Sequence, residues 1–225
     1  MGTFRTVWQG LDWSFLTDIL IYIIPAMVCV TIHETCHGLV AYKLGDPTAK
    51  DAGRLSLNPI RHVDLIGLVM LLVCHFGWAK PVPVDARNFK DPKKGMALTA
   101  LAGPVSNVLL TVVLLATYGL LYFPLLKMGE AGAFFLRLVL TTAYLSTALA
   151  IFNIIPISPL DGSKVLYSVI PDKAYFTLLR YERYGMGILI VLVATGVLGE
   201  PLSNVTEFVF DRLFSIAEWT GGLVW

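Results

Sequence analysis

The sequence predicts an α-helical integral membrane protein of about four to six membrane helices, with a short re-entrant or β-hairpin region near residues 46–94. Three observations carry this reading. The 225 residues are 56% hydrophobic and 15% charged, against roughly 45–50% and 25% in soluble domains. Apolar runs of spanning length recur along the chain. Lys and Arg gather between those runs, as they do in the loops of membrane proteins. The length fits a single domain over 1–225, with a core over about 14–170 and a C-terminal part over about 174–225. It leaves no room for an appended soluble sensor. A net charge of +1 argues against a nucleic-acid partner.

The first helix is expected over residues 14–44, where SFLTDILIYIIPAMVCVTI leads to a stop at Gly45-Asp46-Pro47. It is long enough to span a bilayer, and Pro25 should kink it. The apolar run is longer than a signal-peptide core, so no cleavable leader is expected. Residues 46–64 are polar, and Arg54-Leu55-Ser56-Leu57-Asn58-Pro59 alternates as a short strand does. Residues 65–78 are apolar but short for a span, which favours a re-entrant or buried segment. The alternating prolines Pro81 and Pro83 allow only an extended edge. Spanning helices follow over 96–123 and 132–155, and a fourth around 184–198. Residues 202–225 mix Phe, Leu and Trp with Glu207, Asp211, Arg212 and Glu218, as an interfacial amphipathic helix would.

Basic residues cluster over 43–94 and 164–183, whereas the 124–131 turn has only Lys127. The positive-inside rule then places the N-terminus outside and the basic regions in the cytoplasm. The three cysteines, Cys29, Cys36 and Cys74, lie in apolar segments without a C-x-x-C pair and are expected to stay thiols.

Inside the first apolar run stands His33-Glu34-Thr35-Cys36-His37, an H-E-x-x-H motif. Helix positions i and i+4 differ by about 40° around the axis and about 6 Å along it, so both imidazoles can reach one metal ion. Glu34 projects near the same face and can act on a water as general base. Two buried histidines in a helical core are the plainer alternative. Three ionisable groups at membrane depth would each then need a partner, and such groups usually serve function. Cys29, four residues before His33, could also reach a metal, although buried Cys commonly serves as a small hydrophobe.

A catalytic zinc site takes three protein ligands and leaves one position open. Candidates for the third are His62, His75, Asp64 and Asp161. Asp161 is favoured because Pro156, Pro159 and Gly162 break the helix around it, and irregular backbone at membrane depth must line a cavity or be buried in protein. Its other reading is an N-cap for the helix that follows.

Three segments together resemble a known family. His33 to His37, Gly103-Pro104-Val105-Ser106-Asn107, and Asn153 through Gly162 resemble, in that order, the H-E-x-x-H, G-P-x-x-N and N-x-x-P-x-x-x-L-D-G motifs of the site-2 proteases, intramembrane zinc metalloproteases. Residues 53–59 and 77–84 also look like its bacterial members. The resemblance implies one Zn²⁺ per chain held by His33, His37 and Asp161, with Glu34 as general base and later proton donor. It gives Asn153 a role in holding substrate backbone or stabilising a developing oxyanion. Asn107 it places in packing or in support of the ligands, with substrate contact as a further option. A helical substrate must unwind to be cut, and either the 77–84 segment, through Lys80, Pro81 and Val82, or the strand near Leu55 is expected to pair with it. The chain lacks a recognisable PDZ or CBS region. Expected partners are a single-span membrane protein or signal-peptide substrate and a regulatory membrane protein. The expected location is a bacterial cytoplasmic membrane with the active site towards the cytoplasm. A membrane metal transporter using the same ligands is the competing reading, and it gives Glu34 no necessary task.

Overall fold

The computed structural model describes residues 14–64, 67 and 79–224, with side chains for all of these except 14–18, 172–177, 179 and 180. The expected segment over 65–78, with Cys74 and His75, lies outside the described residues apart from Gly67.

Helix α1 spans Ser14–Lys43 and a short α2 covers Thr48–Asp51. Helix α3 runs over Pro92–Leu126 and α4 over Glu130–Ile154. The chain ends with α5, Asp161–Val169, α6, Asp172–Ala194, and α7, Gly199–Val224. Three of these, in α1, α3 and α4, are long and apolar enough to cross a membrane, and α6 with α7 makes a fourth only if the pair, bent by 84°, counts as one span. The expected fourth span over 184–198 is thus the apolar end of α6, cut short where Gly196 turns the chain at φ 72°. Long apolar helices of this kind satisfy their backbone polar groups internally, which lipid requires.

The starts of the helices follow from local chemistry. The Asp91 side chain accepts a hydrogen bond from the Lys94 amide, and Pro92 occupies the first turn, so α3 begins four residues before the sequence expectation. Helices α1, α3 and α4 form a bundle, and α7 closes its far end. Leu115, Ala143 and Ala217 are buried there under Tyr118, Phe210 and Phe214.

The region near 46–94, expected to be re-entrant or a β-hairpin, contains no named strand among the described residues, and most of 65–78 lies outside them. The region has α2, two 3₁₀ turns at Pro59–Arg61 and Ala86–Asn88, and one isolated antiparallel bridge between Val63 and Ala79. The reason is chemical. Pro81 and Pro83 have no N–H to enter a ladder, and isolated side-chain and main-chain bonds hold the segment instead. The Arg54 guanidinium donates to the Lys80 carbonyl oxygen, and the Lys80 amide donates to the His62 carbonyl oxygen at 2.9 Å.

The C-terminal segment, expected as an amphipathic helix over 202–225, forms α7. Helix α7 buries Thr206, Ala217 and Thr220. It approaches α3 closely at Gly119, where an added Cβ would overlap the Ala217 carbonyl oxygen. Small residues let the two backbones meet, as at helix contacts inside membranes. The amphipathic pattern of 202–225 therefore reflects one face turned to α3.

Candidate metal centre

His33 and His37 project from α1 on one face, with ring centroids 4.5 Å apart and planes at 87°. Both are nearly fully buried. Asp161 reaches the same point from the first turn of α5, its Oδ2 lying 3.1 Å from His33 Nε2 and 3.2 Å from His37 Nε2. A tetrahedral ion with bonds of about 2.0–2.1 Å separates its ligand atoms by about 3.3 Å. Two imidazoles and a carboxylate at this spacing suit zinc. Among the described residues they are the one group of three such side chains close enough to hold a metal ion.

Neighbouring atoms fit the same assignment. His37 Nδ1 lies 2.6 Å from the Thr99 carbonyl oxygen. A ring nitrogen facing a carbonyl must carry the proton, so Nδ1 donates and the Nε2 lone pair is left for a cation. Gly103 of α3 provides the space. An added Cβ would sit 2.5 Å from His33 Cε1 and equally close to His37 Cε1, so only glycine lets α3 approach the rings. Gly162 does the same for the carboxylate, because a side chain there would strike the Ile154 carbonyl oxygen at the end of α4.

Glu34 is half-buried beside the cluster, and its Oε2 accepts a hydrogen bond of 2.9 Å from the Val82 amide. The 79–84 segment thus holds the carboxylate through its main chain. Thr35 ties α1 to the other extended segment by donating to the Ser56 carbonyl oxygen at 2.9 Å. His62 Nε2 donates to the same oxygen at 2.7 Å. Leu55 and Val82 meet over Gly38, one residue past the motif.

The remaining candidates fall into place as follows. Asn153 is half-buried, and its Nδ2 donates to the Leu149 carbonyl oxygen of its own helix at 2.9 Å. Asn107 is fully buried, so substrate contact would require it to leave the interior. Lys80 and Pro81 are exposed and Val82 is half-buried. His62 is fully buried and engaged with Ser56, away from the cluster. Asp64 accepts from the Gly67 amide as a local cap. Cys29 points at the Thr142 carbonyl oxygen, 3.5 Å away in α4. Sequence reasoning grouped Val82 with substrate contacts and missed it as the partner of Glu34, since a main-chain donor leaves no residue-type signature.

The geometry gives a candidate metal centre among helices apolar enough to cross a membrane, and comparison with known proteins supplies its class, a metallopeptidase. Residues 21–195 match the model of peptidase family M50, and the chain belongs to that family, the site-2 proteases. It is 38% identical to YwhC of Bacillus subtilis over 203 residues, covering 86% of this chain and 90% of that one. It is 28% identical to Rip2 of Mycobacterium tuberculosis over 189 residues, covering 82% and 71%. A third relative, MJ0611 of Methanocaldococcus jannaschii, is 30% identical over 155 residues, covering 66% and 72%. All three are named as zinc metalloproteases. No solved structure matches the chain. The protein is an integral membrane zinc metalloprotease of the site-2 type.

Proposed function

We propose that this protein cleaves a peptide bond within or near a transmembrane helix of a membrane-anchored substrate, in regulated intramembrane proteolysis. His33, His37 and Asp161 are the zinc ligands and Glu34 is the general base. The observation that carries this reading is the convergence of two imidazoles and Asp161, with Glu34 next to His33 in the chain, among helices apolar enough to span a bilayer. Zinc, when bound, supplies Lewis acidity to a water and to the scissile carbonyl. Glu34 takes the proton of the attacking water and delivers it to the leaving amine nitrogen. The Val82 amide fixes Oε2 and leaves Oε1 to receive that proton, which keeps the base oriented as its charge changes.

The substrate must arrive extended, and the 54–57 segment is the better edge to receive it. The amides of Lys80 and Val82 are already engaged, and Pro81 and Pro83 have none. Leu55 and Leu57 have no main-chain partner for either N–H or C=O among the described residues, and Leu57 is largely exposed. An unwound peptide laid along this edge would cross α1 at Gly38, one residue beyond His37. Lys80, Pro81 and Val82 then form the opposite wall. The distribution of Lys and Arg supports an active site towards the cytoplasm of a bacterial cell. Substrates of this kind are single-span proteins or signal-peptide remnants, with a membrane protein as regulator.

The test compares purified wild type with Glu34→Gln in detergent, measuring zinc per chain and cleavage of a panel of single-span substrates. About one zinc in each, with cleavage by wild type only, is the expected result. Metal flux in reconstituted vesicles that survives Glu34→Gln, without cleavage by wild type, would establish a transporter instead.

A further inference from the structure

Two buried polar groups beside the metal cluster have no partner among the described residues. One is His33 Nδ1, and the other is the whole side-chain amide of Asn107, both Oδ1 and Nδ2. A buried donor or acceptor without a partner has given up its hydrogen bonds to water for nothing, so each such group calls for an explanation. The Thr99 hydroxyl nearby is likewise unpartnered, whereas several neighbouring groups are satisfied. His37 Nδ1 has the Thr99 carbonyl, Ser146 donates to the Asn107 carbonyl oxygen at 2.8 Å, and Thr111 sits 3.2 Å from the Thr147 hydroxyl.

The helix crossing puts the two orphans at adjacent levels. His37 meets Thr99, and both rings meet Gly103. Cys29 meets α4 at Thr142, one turn from the Ser146 that reaches Asn107. Numbers fall along α1 as they rise along α3, so the helices run antiparallel. Asn107, one turn beyond Gly103, therefore lies between the levels of His33 and Cys29. His33 Nε2 faces Asp161, so once that nitrogen holds a cation the proton resides on Nδ1 and needs an acceptor. A ligating imidazole almost always has one, and it sets the tautomer and the plane of the ring.

We infer that Asn107 is the positioning residue for His33, its Oδ1 receiving the Nδ1 proton through one buried water. This rests on the zinc assignment above and extends it to the second half of the ligand shell. The two histidines are then held differently. His37 is fixed by main chain, which no substitution removes, and His33 by a side chain together with a mobile molecule. A water with His33 Nδ1 and both ends of the Asn107 amide within reach has the two to four partners that buried waters need.

The test uses the full-length protein in detergent and reads zinc affinity by competition with a chelating dye, with the absorption spectrum of the Co²⁺-substituted protein as a second signal. Asn107→Leu, close in volume but without an acceptor, is expected to weaken zinc binding by about 10- to 100-fold and to change the cobalt bands. Asn107→Asp keeps an acceptor and is expected to restore both. Thr206→Val removes an unpartnered buried hydroxyl of α7, an element that contributes no residue to the centre, and should leave both unchanged. Wild-type zinc affinity in Asn107→Leu would overturn the inference, as would an equal loss in Thr206→Val. A weakened Asn107→Leu whose metal-free melting temperature falls equally, with no rescue by Asp, would show a packing role and overturn it as well. Wild type without zinc would remove the metal assignment itself, a different failure from wild type with zinc and an indifferent Asn107→Leu.

Discussion

Gly103 shows how much of the centre depends on a missing side chain. Its Cα faces both imidazoles, and a methyl group there would lie 2.5 Å from His33 Cε1, where carbon atoms normally stay about 3.5–4.0 Å apart. The helices must separate or the rings must turn, and either change spoils a set of ligand atoms now 3.1–3.2 Å apart. Gly103→Ala is therefore expected to lose zinc and proteolysis together while the helical circular-dichroism signal persists. Full zinc occupancy in that variant would refute the steric account. His33, Glu34 and His37 were legible because a helix fixes the i, i+4 relation locally. Asp161 was only a favoured candidate on residues alone, since its distance from His33 is set by how α5 packs against the α3–α4 bundle. The Val82 partner of Glu34 was not legible at all, being a main-chain group 48 positions away.

At the level of elements, Asp46 fastens the extended segment that holds Glu34. Its buried carboxylate accepts from the Thr48 amide at 3.1 Å, the Asp85 amide at 2.8 Å and Asn88 Nδ2 at 2.7 Å, as well as from the Thr48 hydroxyl. Burial alone would raise its pKa, but the hydrogen bonds from Thr48, Asn88 and Asp85 outweigh it and hold the carboxyl below its ordinary value. A depressed folded pKa contributes stability above the unfolded value of about 3.9 and loses it as pH falls through the folded value. Asp85 titrates in the same direction, held at about 2 by the Arg87 side chain. Limited proteolysis within 79–91 should accelerate as pH drops below about 4, and Asp46→Ala should show that faster cleavage already at neutral pH. Cleavage in Asp46→Ala that matches wild type across the range would rule out this clamp. The expected re-entrant or β-hairpin region shows no named strand among the described residues, for a related reason. Alternation in 54–59 and the prolines of 81–83 do signal extended chain, but pairing was supplied by Arg54, Asp46 and Glu34 rather than by a ladder.

Across the whole molecule, the metal cluster and the closing contact occupy different halves of one helix. The cluster touches α3 at Gly103 and α7 touches it at Gly119, sixteen residues or about 24 Å further along. The charged residues of 202–225 suggested a helix lying on the membrane surface. In the fold, small residues interspersed with them pack against α3, where Ala217 and Thr220 fit against Gly119 while Tyr118 and Phe214 flank the contact with rings 6.1 Å apart. Gly119→Leu would force the backbones apart at a cost of about 1–3 kcal/mol. The expected outcome is a lower melting temperature in detergent and faster proteolysis of α7, with zinc content unchanged because His33, His37 and Asp161 depend on α1, α5 and the near half of α3. Loss of zinc from this variant would show that the far contact governs the centre through the length of α3. A protein with unchanged melting temperature and intact α7 would show that the close approach at Gly119 contributes little to holding the bundle together.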